Sequence, residues 1–466
     1  MQSADSDAEQ LLPPTLHIPT PLLYSTCMSK QAGCNVWLKL ENMQPTQSFK
    51  LRGVGTICTG ALLERDAQRL VTAGDTNAAL AVAYSARQLG VPATVFIPRG
   101  GQASAVRAKI ELEGADIVEE GRSLREAYNA ARAFVRERDG AVMIDTADDA
   151  AAIAGNATIV AEINIQLQRR KPAVIIAPVG SGGLLAGLIT GMQHCLWQRV
   201  PVIAVETHNT NSFQRALLLD CDHPEDNKAT RKNTRVKTSK SKMAMSSEIP
   251  STPPPSLLPP LEDDVDKSGI ESKVGSLDIK PARRSGSDST IRHHSKARHS
   301  NDCRTAEPTV ATCLLAGSVC PKALELSREH PVVPISVSEA MAVEACRRFL
   351  DDHHMLIEVG SAAALSIVAK GLTSHVIPDL DSNSDVVVLV TGGANINFDR
   401  LDSYRQRFPY PAPIIAKSGQ DVFMRMLDPA QLTAADTVLS STNTLGILSS
   451  QSRALGSSTS AVSTLL

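Results

Sequence analysis

The 466-residue sequence has little net charge, no paired cysteine motif and no long apolar run. Its formal net charge of −2 gives no reason to expect binding to nucleic acid or to a membrane surface. No apolar stretch reaches the roughly 20 residues of a transmembrane helix, and the polar, acidic start is unlike a secretory or mitochondrial presequence. The nine cysteines are scattered without a CxxC pair, as is typical of free thiols in a reducing compartment. We therefore expect a soluble, cytoplasmic protein.

Three segments lack the composition of a folded core. Residues 222–307 are rich in lysine, arginine, serine and proline, residues 411–466 are rich in serine and threonine, and residues 1–14 begin with a polar, acidic stretch of ten. Such sequences cannot bury enough apolar surface to offset the entropy that ordering costs. We expect all three to be mostly disordered, although residues 422–427 could form a short helix. The long internal segment is interpreted as a tolerated insertion, with phosphorylation or partner binding as the alternative.

One lysine, Lys50, stands between an aromatic residue and the stretch Leu-Arg-Gly, shortly after a strand-like run that ends at Leu40. A lysine amine is a nucleophile only when it is deprotonated, and burial lowers its pKa. Such a lysine can form a Schiff base with a carbonyl compound, and pyridoxal phosphate is the commonest partner. The alternative is a solvated surface lysine.

A glycine-rich turn follows a continuous apolar run in residues 173–187. Glycines let backbone amides converge on one point, and the start of a helix adds partial positive charge, so the turn can hold a phosphate. Ser181 could add a hydroxyl donor. The segment has neither the lysine of a nucleotide P-loop nor the GxGxxG pattern, and the alternative is a tight turn in an α/β domain.

Thr391 ends a second buried strand, just before a Gly-Gly turn. Open α/β sheets bind ligands at the carboxyl ends of their strands. A hydroxyl that faces a pyridine nitrogen offers no charge to stabilise a proton there, and the neutral ring is a weaker electron sink that favours elimination. The alternative is a threonine that only caps the turn.

In this order, the three elements resemble the fold-type II pyridoxal-phosphate enzymes, and specifically the L-serine/L-threonine dehydratases (serine ammonia-lyases). The match covers about residues 15–215 and 305–400. The matching stretches are residues 19–23, 38–42, 48–53, 83–94, 178–185, 201–207, 349–352 and 391–396. The resemblance implies pyridoxal 5′-phosphate as the cofactor, a small amino acid as the substrate and a homodimer, in cytoplasmic amino-acid metabolism and gluconeogenesis.

The resemblance also implies roles for individual residues. Lys50 would hold the cofactor through its aldehyde and act as the general base that removes the α-proton. Phe49 would cover one face of the cofactor ring, Asn77 would reach its 3′ oxygen, and Thr391 would face its ring nitrogen. The residues that would hold the phosphate are Gly180, Ser181, Gly182, Gly183 and Leu184.

A cation site is implied beside the phosphate turn. Glu206 matches a carboxylate that helps relatives bind a monovalent or divalent cation, and Thr210 is a second candidate ligand. The alternative is a plain solvated glutamate at the end of a strand.

The loop of residues 72–79 departs from the family pattern. Relatives have a serine-rich loop that grips the substrate carboxylate, whereas this chain has an acid, Asp75, which would repel that carboxylate. Asp75 could be protonated, could serve as an acid or base on the ring face opposite Lys50, or could mark a changed or lost amino-acid substrate. The alternative is that Asp75 caps a helix running from Ala79 to Leu89. A second departure lies at residues 150–156, where the wall of the substrate pocket is expected to change. The predicted substrate contacts are Ser48, Gly74, Asp75, Thr76 and Gly155.

The alternation of apolar strand runs with helical stretches is typical of an α/β protein with parallel sheets covered on both faces. The predicted strand runs are residues 69–72, 94–97, 173–177, 202–205 and 386–390. We expect two doubly wound open-sheet domains, as in the β-subunit of tryptophan synthase, with the cofactor between them. The smaller domain would be residues 53–150, and the larger would combine residues 15–52, 151–221 and 308–410.

The leading hypothesis is elimination of water from L-serine or L-threonine, with release of ammonia and a 2-oxo acid. The substrate amine would displace Lys50, whose freed amine would take the α-proton. Three alternatives stay open: a serine racemase, a β-replacement enzyme, and a cofactor-binding protein that lost turnover through the Asp75 loop. We expect cofactor binding to survive better than ordinary serine turnover.

Overall fold

The computed structural model describes residues 15–74, 76–100, 105–146, 148–222, 309–419, 421–425 and 446–448. Its strands are β1 (Leu22–Tyr24), β2 (Asn35–Leu40), β3 (Arg69–Ala73), β4 (Ala93–Ile97), β5 (Asp116–Glu119), β6 (Ala141–Met143), β7 (Val174–Pro178), β8 (Val202–Thr207), β9 (Val332–Val337), β10 (Asp385–Val390), β11 (Ile414–Ser418), β12 (Asp421–Arg425) and β13 (Gly446–Leu448). Its α-helices are α1 (Thr26–Ala32), α2 (Lys50–Arg65), α3 (Asn77–Leu89), α4 (Ala105–Leu112), α5 (Leu124–Arg136), α6 (Ala150–Gln166), α7 (Gly183–His194), α8 (Ser212–Asp222), α9 (Pro321–Ser327), α10 (Glu339–His353), α11 (Val359–Ala369), α12 (Thr373–Val376) and α13 (Phe398–Arg407). Strands and helices alternate along most of this length, so the predicted α/β class is confirmed.

The strands form two sheets. Four parallel strands make one sheet in the order β5-β4-β3-β6. The other has the order β1-β2-β10-β7-β8-β9-β11-β12-β13, and its strands from β2 to β9 are parallel while both edges are antiparallel. Each of the five predicted strand runs coincides with one of these strands, apart from residue 173, which precedes β7, so that part of the prediction is confirmed.

The central strands read as continuous apolar runs because helices cover both faces of the sheet. Every residue of β7, β8 and β10 is buried. Their side chains divide between two cores, and α11, which is buried along most of its length, packs into the larger one. Within the described ranges, no helix is both long and apolar enough to cross a membrane.

The chain beyond residue 411 differs from its prediction. The predicted short helix at residues 422–427 is wrong, because residues 421–425 form β12, which pairs with β11 and β13. Gly419, with φ of 59°, starts the tight connection between β11 and β12, which favours a hairpin over a helix. The other segments predicted to be disordered, residues 1–14 and 222–307, lie outside the described ranges apart from Asp222 at the end of α8.

A buried cluster of charges holds the start of α2 in place. Arg52 is fully buried, and its guanidinium donates to Glu41 at 2.7 and 2.8 Å and to Glu162 on α6 at 2.7 and 2.9 Å. The Lys39 amine, also buried, lies 2.5 Å from Glu162. Burial alone would raise the pKa of Glu162, but the hydrogen bonds and charges of Arg52 and Lys39 together outweigh it and lower that pKa. The cluster therefore joins β2 and α6 to α2, the helix that begins at Lys50.

Candidate active site

Lys50 is the first residue of α2, at a point where the chain is attached to the end of β10. The Phe49 amide donates to the Thr391 carbonyl at 3.0 Å, and Ser48 forms an isolated antiparallel bridge with Gly392. Lys50 is half-buried, with its amine 5.0 Å from the centre of the Phe49 ring. Burial lowers the pKa of the Lys50 amine, and the charge that Cys313 would carry as a thiolate only partly opposes this shift. A larger fraction of the amine is therefore neutral and able to act as a nucleophile or base.

The glycine turn between β7 and α7 forms an anion cradle. A Cβ atom on Gly180 would lie 3.1 Å from the Leu314 carbonyl oxygen, and one on Gly182, whose φ is 94°, would lie 2.7 Å from Ala323 Cβ. The close approach at these two positions explains why they are glycine. The amides of residues 180–183 have no backbone acceptor within the described part of the chain, and they precede or begin α7. Free amides at a helix start are suited to a phosphate.

Thr391 lies just beyond β10 in a network of neutral hydroxyls. Its Oγ1 is 2.8 Å from Ser361 Oγ, and Ser361 Oγ accepts the Gly392 amide at 2.8 Å. Ser361 is buried near the start of α11 and was not predicted from the sequence, because serine at a helix start is common. The pair presents hydroxyls without a formal charge.

Asn77 and Glu358 form a second polar pair at the same edge. Asn77 Nδ2 donates to Glu358 Oε1 at 2.8 Å, and the same oxygen accepts the Asn395 amide at 3.1 Å. Asn77 Oδ1 is buried without a hydrogen-bond partner among the described residues. Glu358, 3% exposed, was missed by the sequence analysis. The available signal was a single acid directly before the apolar residues of α11.

A thiol, Cys313, also belongs to this site. A Cβ on Gly360, in the first turn of α11, would collide with Cys313 Sγ, which places the thiol against that turn. Cys313 as a residue is exposed, but its sulfur lies against this turn, and the resulting desolvation together with the charge of Glu358 raises the pKa of the thiol well above its usual value. The thiol is therefore protonated at neutral pH. A scattered cysteine carries no sequence signal for such a position.

The predicted substrate-binding residues lie in three different environments. Ser48 is 1% exposed, and its hydroxyl has no hydrogen-bond partner among the described residues. Gly74 has φ of 96°, which a side chain would disfavour. Gly155 lies where α6 crosses α2, and a Cβ there would collide with the Arg52 carbonyl. This crossing accounts for the glycine by packing, and its role in the pocket wall stays a prediction.

The cap of α3 corrects one expectation. The helix begins at Asn77 instead of Ala79, and Thr76 is its N-cap, with its hydroxyl accepting the Ala79 amide at 3.3 Å. The alternative that Asp75 supplies this cap is therefore wrong, since the neighbouring hydroxyl does so. Asp75 itself lies outside the described residues.

Glu206 and Thr210 use their polar atoms within the protein. The buried Glu206 carboxylate accepts the amides of Phe213 and Gln214 at 2.9 and 2.8 Å, at the start of α8. Burial raises the pKa of Glu206 to about 7, although the two amides oppose the shift. Thr210 Oγ1 accepts the Thr207 amide at 3.1 Å. The cation site stays a prediction.

Replacing Glu358 with glutamine is expected to lower the pKa of the Cys313 thiol. The substitution removes the negative charge that, after burial, raises this pKa most, while an amide oxygen can still accept from Asn77. The measurement is the pH dependence of Cys313 alkylation in cofactor-free protein, with the labelled peptide identified by mass spectrometry. The midpoint should move to lower pH, and Cys313→Ala should lose the label. An unchanged or higher midpoint would contradict the assigned contact.

The chain is similar to known proteins in both sequence and structure. Residues 14–274 match a family model described as pyridoxal-phosphate dependent enzyme. The chain is 30% identical over 399 residues to a human protein named L-serine dehydratase/L-threonine deaminase, with 84% of this chain and 95% of the relative covered. It is 31% identical over 411 residues to a rat protein named serine dehydratase-like, with 87% and 98% covered. Its structure is similar to that of a fungal L-serine ammonia-lyase from Rhizomucor miehei, with a TM-score of 0.63, 33% identity, and 85% and 100% of the two chains covered.

Proposed function

The chain belongs to the pyridoxal-phosphate dependent enzymes, and on that basis we propose that it eliminates water from L-serine or L-threonine to give a 2-oxo acid and ammonia. The observation that carries the proposal is the Lys50 amine, whose pKa burial lowers and whose backbone position is set by the Phe49–Thr391 hydrogen bond. The names of the similar proteins, L-serine dehydratase and L-serine ammonia-lyase, support this choice of substrate class.

The residues of the site fit pyridoxal phosphate. The amides of residues 180–183, which have no backbone acceptor among the described residues, would hold its phosphate together with Ser181 and Leu184, and Lys50 would bind its aldehyde carbon. Asn77, whose Oδ1 has no hydrogen-bond partner in the described part of the chain, would contact the 3′ oxygen. Phe49 would cover one ring face, and Thr391 would face the ring nitrogen. When bound, the cofactor supplies the electron-withdrawing ring that accepts the electron pair left by the α-proton.

The chain's own side chains explain why the site favours elimination. A neutral Lys50 amine takes the proton from the substrate α-carbon, which a permanently protonated lysine could not do. The Thr391–Ser361 hydroxyl pair offers no formal negative charge to stabilise a protonated ring nitrogen. A ring whose nitrogen stays neutral is a weaker electron sink, so less negative charge accumulates on the α-carbon and ring. Loss of the β-hydroxyl together with the α-proton, which is elimination, is then favoured. The buried Ser48 hydroxyl is available to the substrate carboxylate, where Gly74, Asp75 and Thr76 would also contribute.

The proposal is tested by product analysis of cofactor-loaded protein. L-Serine should yield pyruvate, and L-threonine 2-oxobutanoate, each in equal amount with ammonia. Formation of D-serine, or of a new β-substituted amino acid when a thiol is supplied, would make racemisation or β-replacement the function instead. A serine-induced change in cofactor absorbance without any product would indicate a binding protein, and would overturn the proposal.

The remaining features of the proposal concern the whole enzyme. We infer a cytoplasmic homodimer of amino-acid metabolism and gluconeogenesis, with a small domain of residues 53–150 built on the four-stranded sheet. The larger domain would combine residues 15–52, 151–221 and 308–410 around the other sheet. A monovalent or divalent cation beside Glu206 and Thr210 is the further ligand we propose. Light scattering of the purified protein tests the dimer, and activity after removal and return of K⁺ or Mg²⁺ tests the cation.

A further inference from the structure

A cysteine, an aspartate and a histidine meet where the start of α1 contacts the end of α10. Cys27 is the second residue of α1, and Asp352 and His353 are the last two residues of α10. One ligand atom from each side chain lies within 4.8 Å of the other two. Cys27 Sγ is 3.8 Å from His353 Nε2. These residues lie outside the set that forms the Lys50 site.

The spacing is close to that of a tetrahedral zinc centre. Zinc binds thiolate sulfur at about 2.3 Å and imidazole nitrogen at about 2.0–2.1 Å, which places two such ligand atoms about 3.6 Å apart at the tetrahedral angle. The observed sulfur–nitrogen distance is 3.8 Å. A thiolate, an imidazole and a carboxylate suit Zn²⁺, whereas Mg²⁺ and Ca²⁺ prefer oxygen ligands alone.

The His353 ring is already oriented for such a role. It stacks on Phe349 with ring centroids 4.4 Å apart and an interplanar angle of 19°. Ser25 Oγ lies 2.9 Å from His353 Nε2 and 3.4 Å from Cys27 Sγ, next to the two ligand atoms.

We propose that Cys27, Asp352 and His353 bind one Zn²⁺ ion, with water or the Ser25 hydroxyl in the fourth position. On binding, the Cys27 thiol releases its proton to solvent, and Nε2 exchanges its hydrogen bond to Ser25 for the metal. The ion joins residues 326 positions apart in the sequence and fixes the end of the helix that precedes Glu358. Its role is structural, a metal bridge between α1 and α10.

The test is a metal titration of the holoenzyme after dialysis against a chelator. Cobalt(II) should bind with one equivalent per chain and produce the visible ligand-field bands of a tetrahedral site, and one equivalent of Zn²⁺ should remove them. Cys27→Ser and His353→Asn should abolish the bands. Asp352→Asn should weaken binding by about tenfold or more, as expected for loss of one ligand. Cys195→Ser, which changes a half-buried free cysteine elsewhere, should bind like the wild type.

Thermal unfolding provides the second measurement. Zn²⁺ should raise the unfolding temperature of the wild type and of Cys195→Ser, because a ligand that binds only the folded state stabilises it. The shift should be reduced in Asp352→Asn, which changes an exposed side chain and therefore keeps the fold. The proposal is overturned if the wild type takes up no cobalt or zinc. It is equally overturned if the bands and the shift persist in both Cys27→Ser and Asp352→Asn, since the metal would then bind elsewhere. A network of hydrogen bonds among Ser25, Cys27 and His353 would then be the whole role of the cluster.

Discussion

Replacing Lys50 with alanine is expected to reduce 2-oxo acid formation by roughly 10⁴-fold or more, because the amine that attaches the cofactor and the base that removes the α-proton are lost together. Lys50→Arg should be as inactive. Arginine keeps the positive charge and the length, but it stays protonated and cannot accept the proton. The measurement is pyruvate release from L-serine at saturating cofactor. Lys322→Ala, which alters an exposed lysine paired with Glu325, should retain wild-type activity.

A chemical readout separates the two roles of Lys50. Borohydride treatment of the wild-type holoenzyme should fix a pyridoxyl group on Lys50 and on no other described lysine, and Lys50→Ala should carry none. Lys50→Ala and Lys50→Arg should still bind the cofactor weakly, since the amides of residues 180–183 are unchanged. Turnover by Lys50→Ala above about one hundredth of the wild-type rate, or a pyridoxyl group at another residue, would remove Lys50 from the mechanism.

Replacing Arg52 with methionine is expected to lower the free energy of unfolding by about 3–5 kcal/mol. The substitution leaves the fully buried Glu41 carboxylate without its cationic partner, and Glu162 loses one of its two. Urea unfolding followed by circular dichroism should show a lower midpoint. Arg69→Met, which breaks a partly exposed pair with Asp116, should cost no more than about 1 kcal/mol. An equal loss of unfolding free energy in Arg52→Met and Arg69→Met would show that the buried cluster contributes little to stability.

The pH dependence of Arg52→Met gives an independent check. Because Arg52 and Lys39 lower the pKa of Glu162 below 4.5, this carboxylate stabilises the fold above pH 4.5, and the stabilisation is lost as pH falls through the lowered value. The difference in stability between wild type and variant should therefore narrow in acid. Adding Glu41→Gln to Arg52→Met should recover part of the loss, since the unpaired charge is removed. A difference that widens in acid would contradict the pairing.

The sequence was sufficient to predict the strands and the elements that carry the main site residues. Residues 173–177 and 386–390 are continuously apolar because both faces of a parallel sheet are buried, so no polar alternation obscured them. The glycine turn and Thr391 follow directly from where those strands end. Lys50 could be placed at the same edge by resemblance, and the structure attaches its loop to Thr391 and Gly392.

Long-range contacts explain what the sequence did not predict. Asn77 and Glu358 are 281 positions apart, and Ser361 and Thr391 are 30 apart, so neither pair forms a local motif. Cys313 gains its environment from the turn of α11 against which it packs. The strand β12 depends on partners on both sides, which its own residues do not specify. In each case the structure depends on contacts between residues that are distant in the sequence, which a local sequence pattern does not specify.

The position of β10 between β2 and β7 has a consequence for synthesis on the ribosome. The centre of the larger sheet is supplied by residues 385–390, after most of the polypeptide has been translated. Until they emerge, the facing edges of β2 and β7 have no neighbour, and unpaired edges are prone to wrong pairing. The nascent chain therefore cannot complete the centre of this sheet until residues 385–390 have been made, which is after the whole of residues 223–308.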